Sequence, residues 1–151
     1  MTNEEMFEVF GDFDPTAHEA EVRDRWGGTD AYRESARRTK GYTKADWETI
    51  KADGAGIEEG LAALMAAGTP ASAREAMDLA ERHRLQIDRW FYPCTHAMHV
   101  ALGEMYVADP RFTAHYDNRA PGLARYVADA IRANAARAGA NAARAGAHPA
   151  G

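Results

Sequence analysis

The chain of 151 residues contains a single cysteine, no long apolar run and no alternation of β-branched with polar residues. One cysteine cannot form a disulfide within the chain, so the fold must rely on its own hydrophobic core. A transmembrane helix needs about 20 consecutive apolar residues, and the start MTNEEMFEVF lacks the basic and apolar regions of a signal peptide. We therefore expect a cytoplasmic protein that does not associate with membranes.

Positive charge is also scarce. Lys and Arg number 18 against 23 Asp and Glu, which gives a formal net charge of −5. Nucleic-acid-binding surfaces depend on clustered Lys and Arg, so we expect no direct nucleic-acid binding by this chain. Residues 1–24 hold eight acids and one arginine, a balance of −7. Such a segment repels itself and buries little, and we expect the part up to about Gly68 to be ordered by a bound ligand.

Helix-start and helix-stop residues recur along the chain, which is predicted to be all-α. Within one long predicted helix, Gly54 and Gly56 each cost about 1 kcal/mol relative to alanine, so we predict a kink or break there. Pro93 pushes its predecessor out of helical geometry. One helix is therefore predicted to end at Tyr92 and the next to begin at Pro93 or just after. The predicted helices begin near residues 14, 29, 43, 72, 93, 110 and 121.

A perfect short repeat lies at the C-terminus, where ANAARAG occurs at 133–139 and again at 140–146. The repeat contains no large apolar side chain and so lacks a core of its own. We therefore assign residues 1–136 to one domain and residues 137–151 to an Ala/Gly/Arg-rich tail that is frayed or disordered.

The stretch WFYPCTHAMH holds the only cysteine, Cys94, and two of the six histidines, His96 and His99. A Cys–His hydrolase is unfavourable, because neither histidine is well placed as a general base for Cys94 unless the helix begins after the cysteine. A small helical metal or redox sensor stays open as an alternative. His96 and His99 are spaced i, i+3 on one helix face, and Cys94 could join them, although no CxxC or HExxH motif is present.

Cys94 itself allows two further interpretations. In the first turn of a helix, unpaired N–H groups and the helix dipole would stabilise a thiolate and make the sulfur reactive. Alternatively, the thiol is inert and packs as a small hydrophobe, which the residues alone favour. The aromatic residues are open in the same way. Most are expected in the core, while those beside the Tyr92–Pro93 corner could line a ligand groove between helices.

The order of several motifs resembles the TipAS family of thiopeptide-antibiotic-binding domains, which also occur as C-terminal effector domains of MerR-type regulators. The motifs are EVFGDFDP, AYRESARRTKGYTKADW, HR...YxCxxxMH, LGEMYVADPRFT and PGLARYVADAIRANA, and they span roughly residues 5–136. The resemblance implies an all-helical, globin-like fold without haem. It also implies a deep cleft that binds macrocyclic, thiazole-containing peptide antibiotics.

The resemblance further implies a role for Cys94. In founding members the matching cysteine adds to a dehydroalanine of the antibiotic, a conjugate addition that needs no catalytic triad. Two neighbours depart from the family pattern: Pro93 replaces an acidic residue, and Ala97 replaces a glutamate. Because the addition needs no catalytic triad, we expect a binding protein rather than an enzyme, with no metal or other cofactor.

The predicted function is the capture of a thiopeptide-type antibiotic, for resistance by sequestration or for transcriptional sensing. The alternative is a metal or redox sensor that uses Cys94, His96 and His99. We expect a monomer, and the absence of an N-terminal winged-helix segment fits a free-standing form or an isolated effector domain. The predicted ligand-binding residues are Cys94, Tyr42, Trp47, Trp90, Phe91, Tyr92, His99, Phe112 and Tyr116.

Overall fold

A computed structural model describes residues 30–147, which form six α-helices and contain no β-strand. In chain order the helices are α1 (Asp30–Thr39), α2 (Lys44–Ala66), α3 (Arg74–Trp90), α4 (His96–Ala108), α5 (Pro110–Asp117) and α6 (Leu123–Ala147). The prediction of an all-α fold is confirmed for this part of the chain. None of the helices between residues 30 and 147 has both the length and the apolar character needed to cross a bilayer.

Two predictions concern the N-terminal region. The helix predicted from residue 14 and the acidic segment 1–24 lie outside the described residues. From Asp30 to Ala66 the chain forms α1 and α2. The dependence of this region on a bound ligand stays a prediction.

The chain divides into two compact units. The first unit comprises Met1–Gly56 and Leu85–Cys94, and so contains α1, the beginning of α2 and the end of α3. The second unit comprises Ile57–Arg84 and Thr95–Gly151, and so contains α4, α5 and α6. Helices α2 and α3 therefore contribute residues to both units.

Local sequence determines the start of α2 and of α5. The Thr43 amide donates to Asp46 Oδ2 at 2.9 Å, and the Asp46 amide donates to Thr43 Oγ1 at 3.2 Å. This reciprocal pair is a capping box at the helix start predicted near residue 43. Asp109 Oδ1 accepts from the Arg111 amide at 3.1 Å, and Pro110 occupies the first helical position of α5. These side chains satisfy N–H groups that have no partner within the helix.

Helix α2 is continuous through Gly54 and Gly56. Gln86 Nε2 donates to the Ile50 carbonyl oxygen at 2.8 Å, and a Cβ added to Gly54 would lie 3.8 Å from the Gln86 side chain. This contact from α3 offsets the low helix propensity of glycine, about 1 kcal/mol per residue. Of the predicted kink or break, the break is therefore wrong, because a tertiary contact outweighs the local preference.

Helices α4, α5 and α6 pack against one another in the second unit. Gly103 allows α4 and α6 to approach closely, since an added Cβ would lie 3.3 Å from Ile131 Cδ1 and 3.4 Å from Ala128 Cα. Buried positions along α6 recur at the three-to-four spacing of one helix face. They are Leu123, Ala124, Val127, Ala128, Ala130, Ile131 and Asn134.

Helix α6 continues through the first copy of the repeat and into the second, as far as Ala147. Asn134 in the first copy is buried, whereas residues 139–144 are exposed. The boundary predicted at residue 136 thus falls within a helix, at the point where its burial ends. The assignment of residues 137–151 to a separate tail stays a prediction.

Candidate functional site

An aromatic cluster in the first unit joins four of the predicted ligand-binding residues, Tyr42, Trp47, Trp90 and Phe91. The Tyr42 ring lies edge-on to the rings of Trp47 and Trp90, with centroids 5.8 and 5.5 Å apart. The ring centroids of Trp47 and Phe91 are 6.2 Å apart. Each such pair contributes on the order of 1 kcal/mol beyond area burial. Trp47 is buried, whereas the other three side chains are half-buried and keep part of their surface accessible.

Arg38 on α1 and Tyr42, which follows α1, bind the C-terminal end of α3. The last carbonyl oxygens of a helix accept no hydrogen bond from an N–H group of the same helix. Arg38 Nη1 donates to the carbonyl oxygens of Asp88 at 2.6 Å and Arg89 at 3.3 Å. The Tyr42 hydroxyl donates to the carbonyl oxygen of Trp90. Three successive carbonyl groups at the end of α3 therefore have side-chain donors.

Glu34 orients the arginine that makes these contacts. Arg38 Nε donates to Glu34 Oε2 at 2.9 Å, and Arg37 Nε donates to Glu34 Oε1 at 2.6 Å. The hydrogen bonds from Arg37 and then Arg38 lower the pKa of Glu34 from 4.5 to about 2. The carboxylate is therefore ionised at neutral pH and accepts from both guanidinium groups.

Cys94 lies between α3 and α4 and is only 1% exposed. The start of α4 was predicted at Pro93 or just after it, and the helix takes the later position, because Thr95 is the N-cap of α4. The Thr95 backbone is extended, and its hydroxyl oxygen accepts from the Met98 amide at 3.1 Å. Threonine is a preferred N-cap because its side chain satisfies an N–H group of the first turn. Cys94 therefore precedes the N-cap and lies outside the first turn of α4. The position gives no support to a thiolate stabilised by the N–H groups of that turn.

Asp88 fixes the backbone of Cys94. Its Oδ1 accepts a hydrogen bond from the Cys94 amide at 2.8 Å. The bond spans the turn after α3, which ends at Trp90, two residues before its predicted end at Tyr92. Hydrogen bonds to an ionised acceptor are stronger than those between neutral groups. The first unit thus places Cys94 and the half-buried Tyr92 directly after the aromatic cluster in the chain.

His99 belongs to the second unit, where it pairs with His83. His99 Nε2 lies 2.8 Å from His83 Nδ1, and His99 is 1% exposed. Burial is the main cause that lowers the pKa of His99 from 6.5 to about 3 and that of His83 to about 4. Both imidazoles are therefore neutral at pH 7. His99 Nδ1 has no hydrogen-bond partner among the described residues.

Phe112 and Tyr116 lie on α5, also in the second unit. Their ring centroids lie 6.2 and 5.0 Å from that of Tyr106 on α4. Tyr116 is buried, and burial raises the pKa of its hydroxyl well above 10. These two rings contribute to the contact between α4 and α5 and belong to a different unit from the aromatic cluster.

The two histidines of the proposed metal site contact different partners. His96 Nε2 lies 3.0 Å from Glu81 Oε1, which also accepts from Asn134 Nδ2 at 3.0 Å. Hydrogen bonds from Arg84, Asn134 and His96 lower the pKa of Glu81 from 4.5 to about 2. Between residues 30 and 147, no three His, Cys, Asp or Glu side chains are arranged to hold a metal ion. The geometry gives no support to the metal or redox sensor.

Arg38 and Asp88 were not recognised from the sequence. Arg38 is 50 residues from the carbonyl group that it binds, so no local pattern connects them. Asp88 left a weaker signal, because aspartate side chains often accept from backbone N–H groups in turns. It precedes Cys94 by six residues, across a predicted helix end.

Comparison with known proteins identifies the family. A model of the TipAS antibiotic-recognition domain matches residues 18–134. The chain belongs to the TipAS family. The resemblance inferred from the sequence motifs is thereby confirmed, together with the helical fold that it implied.

Individual TipAS-related proteins show how far the similarity extends. A structure of nosiheptide in complex with TipAS, from a thiopeptide antibiotic multidrug resistance system of Streptomyces lividans, is 54% identical with a TM-score of 0.85, covering 91% of this chain and 96% of that one. The antibiotic-binding domain of a TipA-class multidrug resistance transcriptional regulator is 49% identical, with a TM-score of 0.56. The match covers 61% of this chain and 98% of that domain.

Full-length relatives are longer than this chain. The HTH-type transcriptional activator TipA of Streptomyces coelicolor is 55% identical over 137 residues, which make up 91% of this chain and 54% of TipA. The chain thus spans about half the length of the curated relatives that it matches. These relatives are transcriptional regulators.

Proposed function

We propose that this protein binds thiopeptide-type macrocyclic antibiotics. The observation that carries the proposal is the 54% identity, over 91% of the chain, to a TipAS protein whose structure contains nosiheptide. More than half of the aligned side chains are therefore the same, in addition to the fold. The proposal requires binding without turnover, so we class the protein as a binding protein rather than an enzyme.

We assign the antibiotic contact to the aromatic cluster of the first unit. Tyr42, Trp90 and Phe91 are half-buried, so part of each ring surface is available to a thiazole-containing ligand. Trp47 is buried and supports them by ring contacts. Arg38 and Tyr42 hold the end of α3, which limits the ordering that a ligand must impose on the cluster. A site ordered before binding loses less conformational entropy when the ligand docks.

The remaining candidates differ in accessibility. Tyr92 is half-buried beside Cys94, and we retain it as a contact residue. Phe112 is also half-buried but packs against Tyr106 in the second unit, so its assignment as a ligand-binding residue stays a prediction. His99 and Tyr116 are buried in the second unit, so we assign them a supporting role in its core.

We further assign covalent attachment to Cys94. In this step the thiol loses its proton to solvent, and the sulfur forms a bond to the β-carbon of a dehydroalanine. The electron pair of the C=C bond moves to the α-carbon, which takes up a proton, so the addition needs no oxidant, reductant or leaving group. Because Cys94 is 1% exposed, a local opening must bring its sulfur to the alkene. Noncovalent docking supplies the proximity that makes such an addition effective.

The biological role depends on whether binding lowers the concentration of free antibiotic in the cell or changes the state of a regulator. We propose a cytoplasmic, monomeric module that either sequesters the antibiotic or reports its presence to transcription. The transcriptional role is supported by the matched regulators, of which the aligned part of this chain makes up about half, 54% in the case of TipA. With a net charge of −5, we assign any DNA contact to another polypeptide segment.

Calorimetric titration of the purified protein with nosiheptide tests the proposed binding. We expect saturable one-to-one binding by the wild type and by Cys94→Ala. Trp90→Ala should weaken binding by about tenfold, since it removes ring contacts of roughly 1 kcal/mol each. Leu85→Ala is the matched control, because Leu85 lies on the same helix and is 48% exposed.

Each outcome of the titration bears on a separate part of the proposal. Absence of saturable binding by the folded wild-type protein would contradict antibiotic binding. Equal affinities for the wild type and Trp90→Ala would remove the aromatic cluster from the site. A matching loss of affinity in Leu85→Ala would show that the effect is not specific to the cluster.

A further inference from the structure

We infer that Asp88 is a positioning residue that controls the exposure of Cys94. The inference rests on the proposed function, in which Cys94 is the attachment point for the antibiotic. It concerns one contact, the 2.8 Å hydrogen bond from the Cys94 amide to Asp88 Oδ1.

The connection between α3 and α4 is built so that one residue faces inward. Of residues 91–95, Cys94 is the one that is buried, and its neighbours Pro93 and Thr95 are both exposed. Exposing the thiol therefore requires a rearrangement of a surface connection, without the opening of either helix. The position of Cys94 depends on what holds that short segment in place.

Thr95 and Asp88 act at the two sides of Cys94. The Thr95 hydroxyl oxygen accepts from the Met98 amide and so fixes the start of α4. This contact leaves the Cys94 amide, which precedes the N-cap, outside the hydrogen bonds of α4. Asp88 Oδ1 is its acceptor. Since a hydrogen bond to an ionised acceptor changes an equilibrium constant by roughly tenfold to a hundredfold, loss of Asp88 should increase thiol exposure by that factor.

Asp88 also connects Cys94 to the aromatic cluster. Its carbonyl oxygen accepts from Arg38 Nη1 at 2.6 Å, while its carboxylate accepts from Cys94. The Tyr42 hydroxyl holds the Trp90 carbonyl group two residues further along. A ligand that displaces Arg38 or Tyr42 from the end of α3 would therefore also loosen the acceptor of the Cys94 amide. Docking that displaces either residue would thus be coupled through Asp88 to release of the thiol.

Alkylation of the full chain by iodoacetamide, followed by intact-mass measurement, tests this positioning without any antibiotic. Asp88→Ala should be alkylated roughly ten to a hundred times faster than the wild type. Asp88→Asn keeps a neutral acceptor oxygen and should lie between the two. Asp53→Ala is the matched control, because it removes the same charge from an exposed position of the first unit, and it should react at the wild-type rate.

The rates must also separate local opening from global unfolding. Opening of the connection alone exposes little surface, so the alkylation rates should be insensitive to low urea concentrations. A wild-type rate that rises steeply with urea would overturn the inference, as would equal rates for the wild type and Asp88→Ala. If Asp88→Ala does not fold, the comparison of Asp88→Asn with the wild type decides. The titration with nosiheptide tests the proposed function separately, so the two failures are distinguishable.

Discussion

The two units of this TipAS-family protein are stabilised by different kinds of contact. In the first unit, aromatic rings meet edge-on and side chains donate to carbonyl groups at the end of α3. In the second unit, the apolar faces of α4 and α6 pack closely around Gly103, and the same unit contains a neutral histidine pair in which His99 is buried and His83 half-buried. Half-buried rings held by polar contacts can rearrange around a ligand, whereas close packing resists change. We therefore propose that the first unit binds the ligand and that the second unit provides most of the stability.

Mild acid should destabilise the protein through the histidine pair of the second unit. Folded His83 and His99 have pKa values lowered from 6.5 to about 4 and about 3. Below pH 6.5 the unfolded chain therefore binds more protons than the folded one. Stability is complete above this pH and is lost as the pH falls through the window down to the folded values. At pH 5 the expected loss is at most roughly 2 kcal/mol for each histidine.

Urea unfolding at neutral and mildly acidic pH measures this loss. His99→Gln cannot titrate at this position and should lose less stability between the two pH values than the wild type. No tryptophan occurs in residues 57–84 or 95–151, so tryptophan fluorescence follows the first unit, while circular dichroism follows all helices. Unfolding midpoints that are the same at both pH values would contradict the assignment of a neutral histidine pair.

The sequence repeat supplies a matched pair of substitutions within α6. Asn134 and Asn141 occupy the same position in the two copies, yet Asn134 is buried and Asn141 is exposed. Asn134 donates to Glu81 at 3.0 Å and accepts from Arg137 at 2.7 Å. Asn134→Ala should cost about 1 to 3 kcal/mol of unfolding free energy, and Asn141→Ala should change it by less than about 0.5 kcal/mol. Equal costs in urea unfolding would show that the second copy is packed as well.

Two tyrosine hydroxyl groups allow the units to be compared directly. Tyr42 donates to the Trp90 carbonyl oxygen in the first unit, and Tyr126 donates to that of Thr69 at 2.8 Å in the second. Each Tyr→Phe substitution should cost about 1 kcal/mol of stability. Tyr42→Phe should also weaken nosiheptide binding a few-fold, whereas Tyr126→Phe should leave it unchanged. Calorimetry that shows the reverse order of affinities would place the ligand contact in the second unit.

Helix ends that depend on neighbouring residues were predictable from the sequence. The Thr43–Asp46 capping box and the Asp109–Pro110 start both occur as their local chemistry requires. The predictions that need correction have two causes. In one, two local signals compete, and in the other, a contact from a distant segment determines the structure. At the start of α4 the Thr95 cap prevails over Pro93. At Gly54, the Gln86 side chain from α3 supports a helix that its own sequence disfavours.

The candidate site was predictable to a similar extent. Adjacent residues of the stretch WFYPC necessarily lie together, and the structure adds Tyr42 and Trp47, two of the predicted ligand-binding residues, to the cluster of Trp90 and Phe91. Burial of Cys94 in a surface connection was not predictable, because its amide depends on Asp88 across a turn. The contact of Arg38 with the end of α3 joins segments 50 residues apart, and a single sequence contains no signal for it.

Covalent capture through Cys94 is tested by intact-mass measurement after incubation with a dehydroalanine-bearing thiopeptide. We expect the wild-type protein to gain the mass of one antibiotic molecule. Cys94→Ala should keep reversible binding in calorimetry and show no added mass. An unshifted wild-type mass under conditions of saturating binding would contradict covalent capture through Cys94, and a mass gain retained in Cys94→Ala would place the attachment at another residue.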